Sequence, residues 1–546
     1  MSVLHELDKR IVALFARYDS LLEYQDSLFV PDRDGFDQLQ DDIEDVRWST
    51  DVARQDAGNA QVDGVLGSAD PVAAGGALAD ALFGHWYELL ELLEARIKDD
   101  QSFPYRFVRG AIGKTSSLIS LDSRGRGERL DGIRNLHEGV PAVLDAAGDL
   151  AVRLPGPARQ QTIDMLSSVS QLAVEAPVKI AREFSGLPDD CIERVSNLIR
   201  ASGDKARQVS DRIRAAALPG AARMYRGLTY AETLRLIYDM ELDELVAWHR
   251  DEVEKCRERF SAVARSIDPN RDPLTILEQD LGPYSTPDEM LEAGRRLVPF
   301  CRERALEYIS LPEGEVCEVW ETPEHLRETY PWGGYWGGNT LDGDLQGAVF
   351  LNKCNYRAVT KGWVELNAVH ECYPGHHAHA VKTTAARMPL TFKVATLTAR
   401  SSPHSEGIAH RSETLMQHIF HDAFPLFVAY RRLHTSVRIW ADLEMFHFDH
   451  GREAAVQLYM NYMGLDRATA NGQAKSQEMT PGYFTIYYYG MKALEELQRE
   501  CGWNDRDFTE LVFSAGKVSL STVRRLVYMP AAERKRLLEE FVCKCA

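Results

Sequence analysis

The spacing of apolar residues constrains the fold of this chain more than any other feature of the sequence. Apolar residues recur three and four positions apart, with charge on the opposite face, in segments 80–98, 161–183, 229–264 and 288–309. This is the period of an amphipathic helix. Proline and glycine clusters separate the segments, and no repeat of fixed period links them, which argues against a helical solenoid. The sequence therefore predicts a mostly α protein.

The 546 residues are enough for several domain-sized units. We expect residues 1–220 to form an N-terminal helical scaffold or cover region, and residues 221–546 to form a helical catalytic region. Within the second region, the stretch 315–352 departs from the helical pattern because it contains EVCEVWE, the loop PWGGYWGGNTLDGD and GAVFLN. Two short β-rich runs around a glycine-rich loop predict a small sheet or hairpin, with the loop as a flexible lid or wall.

Charge and composition narrow the partners of the chain. Lys plus Arg number 63 against 82 for Asp plus Glu, a net charge of −19, which argues against nucleic acid and membrane as partners because both are bound mainly through clustered cations. No apolar run approaches the ~18 residues of a membrane span. The start MSVLHELDKR lacks the apolar core of a secretory signal. Nine cysteines without a CxxC pair fit reduced thiols. We expect a soluble, cytoplasmic protein.

Histidines are concentrated in one part of the chain. Eleven of the 16 lie between His370 and His450, and at neutral pH histidine serves mainly as a metal ligand, an acid–base group or a switch. His370 continues an apolar helical row, Glu371 follows it, and His376 and His377 come after the break at Pro374-Gly375. A zinc hydrolase needs two imidazoles near one ion and an adjacent carboxylate. Because position 374 is proline, the plain HExxH spacing is not met, and spacing alone leaves His376 and His377 open as the second ligand.

A third ligand is expected downstream, from a separate helix. Residues 404–421 place Glu406, His410, Glu413 and Gln417 in one polar stripe at helical spacing. Such a stripe is typical of a solvated surface. In the functional interpretation, Glu406 is the third ligand, and His410 or Glu413 orients the ligands from behind.

These residues resemble the bacterial domain-of-unknown-function 885 family, which is related to the gluzincin-type zinc peptidases. The family's HExxPGHH-like element is matched at every defined position by His370-Glu371-Cys372-Tyr373-Pro374-Gly375-His376-His377. An element similar to EGWALYAE is matched by Glu406-Gly407, Ala409 and Glu413, and one similar to PGQALSYxxG by Pro481-Gly482, Tyr487 and Gly490. Looser similarity extends from about residue 225 to about residue 500.

Carried over position by position, the resemblance implies His370, His376 and Glu406 as ligands of one zinc ion per chain. It also implies Glu371 as the general base and Tyr487 as a hydrogen-bond donor to the oxyanion. Mn²⁺ and Co²⁺ also accept such ligands. The implied fold is a large, two-lobed helical metallopeptidase-like fold with a deep central cleft and the small sheet beside the metal-binding helix. The sheet segments 315–321 and 347–352 are the expected partners of an extended substrate.

The chain departs from the family pattern at positions expected to line the cleft. Ile408, His410 and Arg411 replace Trp, Leu and Tyr, and Tyr483-Phe484 replaces Gln-Ala. The expected function is a zinc-dependent hydrolase, foremost a peptidase that cleaves short peptides. The altered positions keep open a zinc amidohydrolase acting on a non-peptide amide, and a non-catalytic helical protein that binds a peptide or another partner. The sequence leaves the oligomeric state open.

Overall fold

The structure, a computed structural model, describes residues 3–541 except for 19–27, 63–75, 121, 123, 155, 218–226, 323–326, 328–331, 339, 342 and 395–398. The chain is mostly helical, with one small three-stranded sheet. It divides into two compact units. Unit 1 comprises Met1–Asp63 and Trp86–Thr229, and unit 2 comprises Gly64–His85 and Tyr230–Ala546. None of the described helices has the length and hydropathy needed to cross a membrane.

Unit 1 is built from helices alone among its described residues. They are α1 (Val3–Tyr18), α2 (Arg33–Val62), the greater part of α3 (Gly76–Asp100), α4 (Tyr105–Ser120), α5 (Arg126–Ala151), α6 (Gly156–Glu183) and α7 (Asp189–Ala215). Acidic residues in the first turn of α7 and arginines in its last turn complement the helix dipole. At Gly203 a Cβ atom would lie 2.4 Å from that of Ala173, so glycine lets α7 pack directly on α6.

A buried histidine in unit 1 has a structural role. The His137 ring lies between the hydroxyls of Thr115 and Ser202, each 2.9 Å from one ring nitrogen. Burial lowers the pKa of His137 to about 4. The imidazole is therefore neutral at physiological pH and links α4, α5 and α7 through hydrogen bonds.

Unit 2 contains the sheet and the remaining helices. The helices are α8 (Tyr230–Glu232), α9 (Leu242–Ile267), α10 (Pro273–Asp280), α11 (Pro287–Ala305), α12 (Lys361–Asn367), α13 (His376–Ala385), α14 (Leu390–Lys393), α15 (Ser402–Leu415), α16 (Phe424–Phe446), α17 (Gly451–Met463), α18 (Arg467–Met479), α19 (Ile486–Cys501), α20 (Asp505–Ser514), α21 (Leu520–Tyr528) and α22 (Ala531–Glu539). The main apolar core of this unit lies among α9, α16, α17, α18 and α19.

Two predicted helices differ from the observed ones. Segment 229–264 is not one helix, because α8 continues as a π-helical turn, Thr233–Ile237, and the chain then breaks before α9. Asp239 in the break has a φ of 55°, and its carboxylate pairs with Arg400 at 3.1 Å. Segment 288–309 ends early as a regular helix, at Ala305. Segments 80–98 and 161–183 lie within α3 and α6 as predicted.

The small sheet has three strands in the order β1 (Val316–Glu321), β3 (Gln346–Leu351), β2 (Gly333–Gly337). β1 runs parallel to β3, so the two predicted β-rich runs do not form a hairpin, and β2 is antiparallel to β3. The prediction of a loop at 333–337 was wrong, because GGYWG forms β2. A Cβ atom on Gly333 would lie 2.1 Å from the carbonyl oxygen of Phe350, so only glycine permits this pairing. β3 is paired on both sides, which excludes 347–351 as an edge for substrate.

Candidate metal centre

The first two predicted ligands lie on either side of a sharp turn. Helix α12 starts at Thr360, whose hydroxyl accepts a hydrogen bond from the Trp363 amide, and it runs into a π-helical turn, Ala368–Cys372. The chain then reverses through the cis Tyr373–Pro374 peptide bond, and α13 begins at His376. A Cβ atom on Gly375 would lie 1.9 Å from the carbonyl oxygen of His370, so glycine is required for this close return. The rings of His370 and His376 are brought to 4.9 Å between centroids.

The third predicted ligand meets them from α15. Glu406 Oε2 lies 3.3 Å from His370 Nε2 and 3.6 Å from His376 Nε2, and the three ligand atoms lie within 4.8 Å of one another. Ligands about 2.0–2.2 Å from a tetrahedral zinc ion are separated from each other by about 3.3–3.6 Å. Glu406 Oε2 is buried and has no hydrogen-bond partner of good geometry. An unsatisfied buried carboxylate oxygen facing two imidazole nitrogens fits a metal ion.

Glu406 and the imidazoles influence each other strongly. Burial raises the pKa of Glu406, but His376 and His370 outweigh burial and hold that pKa well below its ordinary value. Burial lowers the pKa of His370, but the nearby carboxylates of Glu406 and Glu413 outweigh burial and raise that pKa to about 10. The carboxylates thus stabilise positive charge at His370, and the same field attracts a cation.

Glu413 supports His370 from behind. Its fully buried carboxylate accepts a hydrogen bond from His370 Nδ1 at 2.8 Å, which leaves Nε2 directed toward Glu406. Carboxylate support of this kind fixes the tautomer and orientation of a metal-ligating histidine. His370, His410 and Glu413 form a second group whose ligand atoms are mutually close. The hydrogen bond between His370 and Glu413 favours a supporting role for this group.

His377 is directed away from the other ligands. Its Nε2 lies 2.9 Å from Glu315 Oε2, and its Nδ1 lies 3.1 Å from the hydroxyl of Tyr335. Glu315 also accepts a hydrogen bond from Tyr373 and pairs with Arg302. Both ring nitrogens of His377 are therefore engaged by residues in or next to the sheet, and His376 is the histidine beside Glu406. Residue spacing alone left these two histidines unresolved.

The predicted catalytic residues lie around the same centre. Glu371 is half-buried and follows His370 directly; no described side chain donates a hydrogen bond to its carboxylate. The half-buried Tyr487 has its ring 5.6 Å from that of His410 and its hydroxyl 3.5 Å from that of Tyr483. Burial, followed by the charge of Glu406, raises the pKa of Tyr487 well above its ordinary value. Its phenol is therefore protonated and able to donate.

Two features of the site were missed at the sequence level. Glu315 and Tyr335 anchor α13 through His377, and only their position in the β-rich stretch hinted at such a role. Two arginines of α16, Arg431 and Arg438, lie over the ring of Tyr487, with guanidinium carbons 5.6 Å and 5.4 Å from its centroid. Their separation of seven residues predicts a shared helix face, but the spacing does not show that this face is buried.

Comparison with known proteins supplies a family and a fold. The chain matches the family described as bacterial protein of unknown function (DUF885) over residues 34–527. It belongs to that family. Among curated proteins there is no match. The crystal structure of the "putative lipoprotein from Colwellia psychrerythraea" is similar, with a TM-score of 0.74 and 14% identity, covering 96% of this chain and 98% of that one.

A second structure is similar to a comparable degree. The "putative lipoprotein of unknown function from Shewanella oneidensis" has a TM-score of 0.68 and 14% identity, covering 96% of this chain and all of that one (100%). At such low identity the two likenesses establish the shared fold. They carry no information about the chemistry of the centre.

Proposed function

We propose that the chain is a zinc-dependent hydrolase, foremost a peptidase that acts on short peptides. The observation that carries the proposal is the convergence of His370 Nε2, His376 Nε2 and Glu406 Oε2, with an unsatisfied buried carboxylate oxygen among them. The two-lobed metallopeptidase-like fold with a deep cleft is part of this proposal. A location in the cytoplasm stays a prediction, since each of the two similar structures is described as that of a "putative lipoprotein".

The residues have distinct roles in the proposed reaction. His370, His376 and Glu406 would hold the ion, and Glu413 would orient His370. A bound zinc ion supplies a Lewis acid and lowers the pKa of a water ligand toward ~7. Glu371, which carries no hydrogen bond from a described side chain, accepts the proton of the attacking water and passes it to the leaving amine. The protonated phenol of Tyr487 donates a hydrogen bond to the oxyanion.

The sheet offers a route for aligning an extended substrate. β3 is already paired on both sides, so the two outer strands are the available edges. β2 is the better candidate, because its Tyr335 contacts His377 in α13 and thereby ties this strand to the metal-binding segment. Main-chain pairing with an edge strand is a common mode of peptide recognition.

Metal content and hydrolysis together test the proposal. We expect about one zinc ion per chain in the wild type by elemental analysis, and its loss in Glu406→Ala. Glu371→Gln should retain zinc and lose hydrolysis of a panel of unrelated short peptides. The matched control is Glu365→Gln, because Glu365 is also a buried partner of a histidine, His421, but lies outside the centre. The control should keep both zinc and activity.

The outcomes separate the candidate functions. A wild-type protein that binds no zinc after resupply would refute the hydrolase and favour a helical binding protein. Zinc without cleavage of any peptide, combined with cleavage of other amides, would favour the amidohydrolase alternative.

A further inference from the structure

Two positive charges are buried beside the candidate centre without a neutralising partner in the part of the chain that the structure describes. Arg431 and Arg438 are 8% and 7% exposed, and the Nε atom of each is buried without a hydrogen-bond partner. No acidic side chain of the described residues lies within ion-pairing distance of either guanidinium. Burial and the neighbouring Arg431 lower the pKa of Arg438. Isolated buried charges are strongly unfavourable, so arginines are rarely left this way.

Other arginines of the same unit, buried or half-buried, are paired with a carboxylate. Arg432, one residue along α16, pairs with Glu495 at 2.6 Å. Arg400 pairs with Asp239, and Arg411 with Asp505. Asp442 lies one turn beyond Arg438 on α16, but its carboxylate accepts hydrogen bonds from Gly482, Gln477 and Tyr230. Among the buried arginines of unit 2 that the structure describes, Arg431 and Arg438 are thus the two without a carboxylate partner.

The two arginines border the place where substrate would react. Each lies over the ring of Tyr487. The Tyr487 ring also neighbours that of His410, which is 5.2 Å from the ring of His370. Trp363 lies 5.4 Å from Arg431, and Phe484 lies 5.0 Å from Arg438. These aromatic faces hold the guanidinium planes while leaving their N–H groups without acidic partners.

We infer that Arg431 and Arg438 form a carboxylate-binding subsite, so that the preferred substrates carry a carboxylate close to the scissile bond. This inference rests on the proposed function, because it assigns the substrate class of the same centre. Guanidinium groups bind carboxylates through two parallel hydrogen bonds, and in a water-poor site such contacts are strong. The carboxylate is either the C-terminus of a peptide or an acidic side chain. The first source makes the enzyme one that removes residues from the C-terminal end.

Peptide binding to the full-length Glu371→Gln protein, in which turnover is absent, tests the inference by calorimetry. The probes are Ala-Ala-Ala with a free C-terminus, Ala-Ala-Ala amide and Ala-Glu-Ala amide. We expect at least one carboxylate-bearing probe to bind about tenfold or more tightly than Ala-Ala-Ala amide. Adding Arg438→Gln should abolish that preference, and Arg438→Lys should restore part of it because it keeps the charge but not the paired donors. Arg432→Gln, which removes a paired arginine of α16, should leave the preference intact.

The pattern of binding identifies the source of the carboxylate and separates this inference from the proposed function. Tighter binding of the free acid assigns the C-terminus, and tighter binding of Ala-Glu-Ala amide assigns an acidic side chain. Equal binding of all three peptides, or a preference that Arg438→Gln leaves unchanged, would overturn the subsite. Repeating the titrations on metal-free protein tests the subsite even if zinc binding or hydrolysis fails. If Arg438→Gln does not fold, the comparison of Arg438→Lys with the parent decides.

Discussion

Replacing Glu413 by glutamine should weaken zinc binding without touching a ligand atom. The fully buried Glu413 carboxylate accepts a hydrogen bond from His370 Nδ1 at 2.8 Å. Glutamine keeps the shape and one acceptor oxygen but removes the negative charge, and charge-assisted hydrogen bonds are about twice as strong as neutral ones. Its amide nitrogen would face His410 Nδ1, which lies 3.5 Å from Glu413 Oε2 and has no hydrogen-bond partner. The substitution therefore introduces no clash.

The expected loss follows from the supporting role of this carboxylate. Removing an outer partner of a metal-ligating histidine typically lowers metal affinity about 10- to 100-fold, which corresponds to about 1.4–2.7 kcal/mol. Competition with a chromophoric zinc chelator at fixed pH measures the affinity. Glu365→Gln changes the same chemical group in a Glu–His pair outside the centre, where Glu365 and His421 lie 2.9 Å apart. That control should bind zinc as the wild type does.

One result would refute the reasoning directly. If Glu413→Gln folds and binds zinc with wild-type affinity, then His370 is not oriented for the metal by Glu413. The same result would exclude the second group, His370, His410 and Glu413, as the ligand set, because Glu413 is a member of it. A loss of affinity in the Glu365→Gln control would show instead that the effect is not local to the centre.

Four further predictions follow from the same contacts. His377→Gln should keep zinc but lower the free energy of unfolding by about 1–3 kcal/mol, because the His377 ring bridges Glu315 and Tyr335. Elemental analysis measures the zinc content and urea denaturation measures the free energy of unfolding. His376→Gln should instead lose zinc. Tyr487→Phe should retain zinc and lower kcat by about 10²- to 10³-fold, whereas Tyr488→Phe, which loses a contact with Glu252, should not change kcat comparably. Gly490→Ala would place a Cβ atom 1.8 Å from the Pro403 carbonyl oxygen. It should lower the free energy of unfolding, measured by urea denaturation, by at least about 1–3 kcal/mol. Gly472 has open space around it, so Gly472→Ala should not destabilise the protein comparably. Burial raises the pKa of Asp442 from 3.8 to about 7, so the stability linked to its protonated form is complete below pH 3.8 and is lost as pH rises through 7. Between about pH 4 and about pH 8, the unfolding free energy of Asp442→Asn should therefore rise relative to that of the wild type by on the order of 4 kcal/mol. A difference that stays constant with pH would contradict the assignment.

The local sequence pattern predicted most of the secondary structure of unit 2. It failed where tertiary contacts determine the conformation of a segment. The helix α11 and the strands β1 and β3 could be predicted from the sequence, because the spacing of their apolar residues indicates a buried face. The strand β2 was not predicted, because three of its five residues are glycines, whose strand preference is low. It becomes a strand through pairing with β3, and its glycine at 333 is selected by the approach of the Phe350 carbonyl.

The candidate centre was predictable as a set of residue types but not as an arrangement. The order of His370, Glu371, His376 and Glu406 in the sequence already suggested a metal site. Whether His376 or His377 lies beside Glu406 depends on the path of the chain through Gly375, and spacing cannot encode that path. Arg431 and Arg438 were missed for a related reason. A basic residue on a helix is usually exposed, and only the packing of α16 shows that these two are buried.

The unsatisfied polar groups around the candidate centre indicate how a substrate would be oriented there. Glu406 Oε2 has no hydrogen bond of good geometry. Among the described residues, no side chain donates to Glu371 and no carboxylate pairs with either arginine. Direct ion pairs between the carboxylates and the arginines would neutralise the charges of both and would stabilise the fold. Their separation is therefore unfavourable for the protein alone. Arrangements that are unfavourable for the fold and bring no compensating stability are expected at functional sites. With Tyr487 packed against the arginines and against His410, one substrate can place a carbonyl at the metal side and a carboxylate at the arginine side. The proposed substrate carboxylate therefore accounts for the two arginines, and the proposed metal ion accounts for the unsatisfied oxygen of Glu406.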